Sequence, residues 1–123
     1  MNKKERILKE LFDYHTQTHP NKLTAFEKFV RKSSNHFYVT LLLASCSNDH
    51  QGYCYEEIIE MYPHSYAGRT TIHSILNEGI KENFFNKIQS SKDHRKQNYK
   101  LSSDQKKEAI AWLDNHPIKN YNK

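Results

Sequence analysis

The chain has 123 residues, with 19 Lys and Arg against 14 Asp and Glu (formal net charge +5), two Cys, three Gly and three Pro, a size that fits one small domain. Leu, Ile, Val and Phe together number 26, close to the compositional border below which chains do not fold alone, so oligomerisation is an expected way of covering apolar surface. No run approaches the roughly 18 apolar residues of a membrane span, residues 1–10 lack a signal-peptide stretch, and two thiols are too few for a disulfide scaffold, so the expectation is a cytoplasmic protein with reduced cysteines and no membrane association.

In residues 2–14, Ile7, Leu8, Leu11 and Phe12 lie on the stripe of an amphipathic helix, with Asn2 as cap and Glu5 as its partner. Residues 16–22, containing His19 and Pro20, read as a linker. Thr24 and Glu27 form a capping box ahead of Phe26, Phe29 and Val30, which predicts a second, short helix. Ser33, Ser34 and Asn35 interrupt it and cap a third, in which Phe37, Tyr38, Leu41, Leu42 and Ala44 share one broad face. Residues 47–52, with Asn48, Asp49 and Gly52, form a turn. A fourth helix runs over 55–61 with Ile58, Ile59 and Tyr62 inward, and ends there because Pro63 disfavours helical geometry in the residue before it. A fifth carries Ile72, Ile75, Leu76 and Ile80 as core, and Asn83 can take the left-handed conformation that stops it. Gly79, inside that helix, costs about 1 kcal/mol relative to Ala, which points to close packing against another backbone.

The period then changes. Phe84, Asn86 and Ile88 alternate with Phe85, Lys87 and Gln89, and after a polar turn over 90–96, Gln97, Tyr99 and Leu101 alternate with Asn98 and Lys100, predicting two strands. A last helix starts at the capping box of Ser102 and Gln105, packs Ala109, Trp112 and Leu113, and closes before Pro117; a short tail, 118–123, follows. The charge is uneven along this order. Residues 63–101 carry 7 cationic and 3 anionic side chains, whereas 23–62 carry 3 and 5, so one stretch is electropositive and fits a polyanion such as nucleic acid.

Helix, turn, helix and a hairpin with a basic tip is the order of a winged helix-turn-helix. Residues 37–113 resemble the MarR-type transcriptional regulators at three places. Thr70, Thr71 and Ile72 followed by Ile75 and Leu76 resemble the start of that family's recognition helix. Asn83, Phe84 and Phe85 stand where the family has a glycine and two apolar residues. Ser91, Lys92, Asp93, His94, Arg95 and Lys96, followed by Tyr99, Lys100, Leu101 and Ser102, resemble its wing and the strand after it, and the Asp93–Arg95 spacing is the most specific of the three. The loop over 62–68 is about two residues longer than in the family, which leaves Ser65 and Gly68 as alternative helix starts, and the last helix is shorter.

The physical roles follow from residue type. A helix entering the major groove needs short hydrogen-bonding side chains and a cation at its first turn, which Arg69, Thr70, Thr71, His73 and Ser74 supply. Ser65 and Tyr66 can donate to phosphate oxygens. Arg95 at the hairpin tip can reach a narrow minor groove, with Asp93 holding its guanidinium and Lys92 and Lys96 on flanking phosphates.

The expected fold class is therefore mainly α with a small β-hairpin, a winged helix-turn-helix (36–101) between N-terminal helices (1–35) and a C-terminal helix and tail (102–123). Ile7, Leu8, Leu11 and Phe12, with Trp112 and Leu113, are the expected dimerisation residues, giving a homodimer whose two recognition helices read an inverted repeat in double-stranded DNA. The resemblance also implies a small-molecule effector. His15 and His19 have i, i+4 spacing but no third ligand nearby in the sequence, so no metal is expected. Cys46 and Cys54 lie among acidic neighbours (Asp49, Glu56, Glu57) and read as structural or incidental. No phosphate loop, nucleophile elbow or paired-acid motif is present, so neither a cofactor nor an enzymatic activity is expected. The alternative is a protein-contact module of the same fold, docking through its eight Tyr and six Phe.

Overall fold

The computed structural model describes residues 2–17, 23–47, 49–63, 67–91, 93 and 95–122. In chain order the elements are α1 (Lys3–Gln17), α2 (Ala25–Val30), α3 (Ser34–Ala44), β1 (Tyr53–Cys54), α4 (Tyr55–Met61), α5 (Arg69–Lys81), β2 (Phe85–Gln89), β3 (Gln97–Leu101) and α6 (Ser103–Asn115), with a closing 3-10 turn (Pro117–Asn120). The protein is mainly helical with one small antiparallel sheet in the order β1-β3-β2. Among the described residues no helix is long and apolar enough to cross a membrane.

Helices begin where a side chain can satisfy an amide of the first turn, which has no partner inside the helix. Asn2 Oδ1 accepts the Glu5 N–H at 2.8 Å, Thr24 Oγ1 that of Glu27 at 3.1 Å, Ser33 Oγ that of His36 at 3.1 Å, and Ser102 Oγ that of Gln105 at 3.3 Å. These are the caps expected from the sequence. The stop signal at Asn83 also holds, with φ +65° just after α5. α1 runs further than the stripe predicted: Thr16, assigned to a linker, is helical and its hydroxyl donates to the Phe12 carbonyl.

The core joins α2, α3, α4, α5 and the sheet through Phe29, Val39, Leu43, Ile58, Ile72, Leu76 and Phe85, each almost wholly removed from water. Each such side chain contributes roughly 1.5–3 kcal/mol by burial. Phe29 stacks on Phe84, centroids 4.4 Å apart, and meets the edge of Phe85 at 5.5 Å. α5 turns Ile72, Ile75, Leu76 and Gly79 inward, with Ile80 half-buried. A Cβ at Gly79 would enter the Phe85 ring, so the glycine admits an aromatic side chain and not, as expected, another backbone.

Four further features differ from the sequence expectation. β1, with Tyr53 opposite Tyr99 and Cys54 opposite Asn98, adds a third strand too short to show any alternation. α3 buries Val39, Thr40 and Leu43, which share one face, and leaves Tyr38 and Leu41 exposed, because the core packs against that face and not against the predicted stripe. Phe84 and Phe85 are both buried while Ile88 is exposed, so β2 lacks the predicted two-faced pattern beyond its first residue. Part of the expected tail forms the 3-10 turn, packed against α1.

Replacing Gly79 sets two effects against each other. Alanine would gain about 1 kcal/mol of helix propensity but force Phe85 out of place at about 1–3 kcal/mol. Gly79→Ala is expected to lower stability in urea unfolding, whereas Asn77→Ala, on the exposed face of the same helix, should stay within about 0.5 kcal/mol of the parent.

Candidate functional site

α5 starts without a capping side chain. Gly68 occupies the cap position in extended backbone (φ −84°, ψ 176°), and no acidic residue lies in the first turn, so the positive end of the helix is left open. This also settles the helix start: Gly68 and not Ser65 precedes it. Arg69, Thr70, Thr71, His73 and Ser74 are all exposed. Their presentation depends on α4. The Tyr55 hydroxyl donates to the Arg69 carbonyl at 2.9 Å, the Tyr55 ring meets His73 edge-on at 5.4 Å, and Arg69 Nη1 donates to both Glu56 carboxylate oxygens at 3.1 and 3.2 Å. A shallow cleft of about 360 Å³ lies among Tyr55, Arg69, Thr70, His73 and Tyr99.

The β2–β3 hairpin ends in a turn closed by two backbone bonds, Ser90 N–H to Lys96 carbonyl (3.0 Å) and Lys96 N–H to Asp93 carbonyl (2.9 Å). Asp93 Oδ1 accepts both the Arg95 backbone N–H at 3.0 Å and its Nε–H at 3.3 Å. The backbone bond first, then the guanidinium, pull the Asp93 carboxyl below its usual value. The Arg95 side chain is nevertheless 92% exposed, a cation aimed outward from a fixed root. Lys96 is exposed beside it, and Lys87 lies 5.6 Å over the Tyr99 ring at the hairpin's other strand.

The hairpin is tied, from its turn along β3, to the residues before β1. Ser91 Oγ donates to Gln51 Oε1 (2.8 Å), Asn98 Nδ2 to the Gln51 carbonyl (3.2 Å), and Lys100 Nζ to the His50 carbonyl (2.7 Å). Gly52, at φ +80°, lets this segment approach so closely that a Cβ would meet the Tyr99 carbonyl. A cleft runs from Glu57 and Cys54 at the start of α4 to Asp93 and Lys96 at the hairpin turn. Hairpin and α5 start therefore both adjoin the first turn of α4. α4 is acidic: Glu56 and Glu57 in its first turn and Glu60 near its end are exposed, and the helix has no Lys or Arg. Glu57 also accepts the Cys54 N–H at 2.9 Å, which lowers its carboxyl pKa.

Of the predicted contact residues, Arg69, Thr70, Thr71, His73, Ser74, Asp93, Arg95 and Lys96 are brought to these two adjoining surfaces; Ser65, Tyr66 and Lys92 lie outside the described residues. Gln51, Tyr55 and Glu56 were not singled out from sequence, and only Gly52 gave a local sign of the close approach. The predicted dimerisation set divides. Leu8, Phe12 and Leu113 are 64%, 60% and 53% exposed, but Ile7 is buried within the chain and Leu11 and Trp112 are half-buried, Trp112 against the edges of Phe26 and Phe37. Ile7 is thus unavailable to a second chain, because α1 turns it toward its own protomer.

Cys46 does not sit in acidic surroundings. Lys100 and Lys106 act on it electrostatically, and Lys106 Nζ donates to its carbonyl at 2.7 Å, yet burial dominates and raises the thiol pKa. Among the described residues no group of three or more His, Cys, Asp or Glu is placed to hold a metal ion. Comparisons with protein-family models, curated proteins and solved structures gave no match to this chain.

Asp93→Ala should free the Arg95 amide, raising its hydrogen exchange measured by NMR. Global stability should change by less than about 1 kcal/mol, because the Asp93–Arg95 pair is at the surface.

Proposed function

We propose that the chain is a winged helix-turn-helix transcriptional regulator that binds double-stranded DNA, with α5 in the major groove and the β2–β3 hairpin in the adjacent minor groove. The observation that carries the reading is the Asp93-rooted, outward Arg95 on a hairpin that shares the α4 first turn with the open, hydroxyl-lined start of α5. Thr70, Thr71, His73 and Ser74 are suited to base edges, Arg69 to a base or a phosphate, and Arg95 with Lys96 to the narrow groove and its phosphates. Polar ties to His50 and Gln51 would hold the hairpin at a set distance from α5, so that both could engage one duplex. Leu8, Phe12 and Leu113, with Ile118 and Tyr121, supply exposed apolar surface for a homodimer, which would set two α5 helices about 34 Å apart on an inverted repeat.

One observation favours a second reading. The exposed Glu56, Glu57 and Glu60 oppose a phosphate backbone, which suits a module that docks on protein and carries its basic hairpin for another reason. Salt separates the two, because binding through several phosphate contacts weakens steeply as salt rises.

Fluorescence anisotropy with duplex DNA gives the test. Arg95→Ala should weaken binding to all sequences alike and reduce the salt slope by about 1, whereas Thr71→Ala should mainly reduce discrimination between sequences. Equal affinity of the wild type and both variants for every duplex, with no salt dependence, overturns the DNA reading in favour of the protein-contact one.

A further inference from the structure

The two ends of the described chain meet at a pair of histidines. His116 closes α6 and opens the 3-10 turn, and its Nδ1 accepts the Ile118 N–H at 3.1 Å. A nitrogen that accepts is unprotonated, so the neutral ring carries its proton on Nε2. That Nε2 faces His15 Nε2, on the last turn of α1, at 3.4 Å. The sense of the contact is thereby fixed: His116 donates and His15 accepts. The separation would also suit two ligands of one metal ion, but Nε2 of His116 is the protonated nitrogen, and the Arg31 guanidinium adjoins the pair, donating to the His15 carbonyl at 3.4 Å.

We propose that the His15–His116 pair is a proton-operated latch that holds α1 against α6 and the closing turn at neutral pH and releases it on acidification. The pair can take up a proton only by opening. A proton on His15 Nε2 sets two N–H groups against each other beside Arg31. A proton on His116 Nδ1 displaces the Ile118 N–H and removes the cap of the turn.

The groups around the pair strengthen this. From α1, Tyr14 meets both rings, at 5.2 and 5.0 Å, and Glu10 accepts from Asn120 at 3.4 Å. From α6, Trp112 lies 4.8 Å from the His116 ring. From the end of α2, Arg31 stands 5.8 Å from the Tyr14 ring and is itself paired with Glu27 at 3.9 Å. Lys119, on the turn, is exposed. Among the described residues no carboxylate bonds to either imidazole, so none of them supplies a counter-charge to stabilise an imidazolium. His116 is only 6% exposed, whereas His15 is exposed and only partly desolvated where it meets His116 and Tyr14. Burial first, then Arg31 for His15 and His15 for His116, hold both below the ordinary 6.5. The unfolded chain therefore binds more protons in this range. The stabilisation is complete above 6.5 and is lost as pH falls through the lowered native values.

Trp112 is the chain's single tryptophan and reports on His116 directly. The full chain is titrated from about pH 8 to about pH 5, following indole emission and amide hydrogen exchange. Emission should change with a midpoint below 6.5, and α1 amides should lose protection relative to α5 by about tenfold for each pKa unit of depression. His116→Asn keeps an oxygen that can accept the Ile118 N–H, and His15→Gln keeps an acceptor for His116; neither new group titrates. In both variants, α1 protection should be much less sensitive to pH. Unchanged α1 protection in the wild type across the range, or the wild-type transition persisting in both variants, overturns the latch.

Discussion

The fit of Phe85 against Gly79 fixes the rotation of α5 about its own axis. With that ring seated on the glycine, Ile72, Ile75 and Leu76 are forced inward, and Thr70, Thr71, His73 and Ser74 have no face left but the outer one. Phe85 is also the first residue of β2, paired with Leu101, so the same contact sets the sheet against the helix. Phe29 extends the joint to α2 through its stack on Phe84. A single aromatic cluster thus positions helix and hairpin together.

A polar bracket holds the opposite end of α5. Glu78 receives His36 Nε2 at 2.9 Å and Lys32 Nζ at 2.5 Å, and Lys32 also reaches Glu82 at 3.4 Å. His36 is oriented by Ser33 Oγ at 2.7 Å, the same hydroxyl that caps α3. The His36 bond, then that of Lys32, lower the Glu78 carboxyl pKa. The bracket therefore adds stability above the ordinary carboxylate range and loses it as pH falls through the depressed native value. It lies on the back half of the helix, leaving the first turn to α4.

What could be seen in the sequence was whatever is decided within a few residues. Caps at Asn2, Thr24, Ser33 and Ser102, the left-handed stop at Asn83 and the Asp93–Arg95 turn each depend on neighbours three or fewer positions away, and the apolar stripe of α5 shows in spacings of three and four. What escaped depends on distant partners. β1 exists only because β3 lies beside it, and the buried side of α3 is chosen by what packs there, not by its own nearly uniform hydrophobicity. Likewise Ile7 and Leu8 are equivalent in the sequence pattern, and only the packing of α1 distinguishes the buried one from the exposed one. The hairpin's ties to His50 and Gln51 cross some 40 to 50 residues and left no periodic trace.

The closure between α1 and the 3-10 turn has an implication for how the protein comes into being. His15 and His116 are 101 positions apart, and Glu10 and Asn120 are 110. During synthesis α1 is made about a hundred residues before its docking partner, so the helix must wait undocked with Ile7, buried in the finished fold, still uncovered. Such a long-range joint adds a slow, late step to assembly. During translation, α1 needs shielding until the residues of the closing turn have been added.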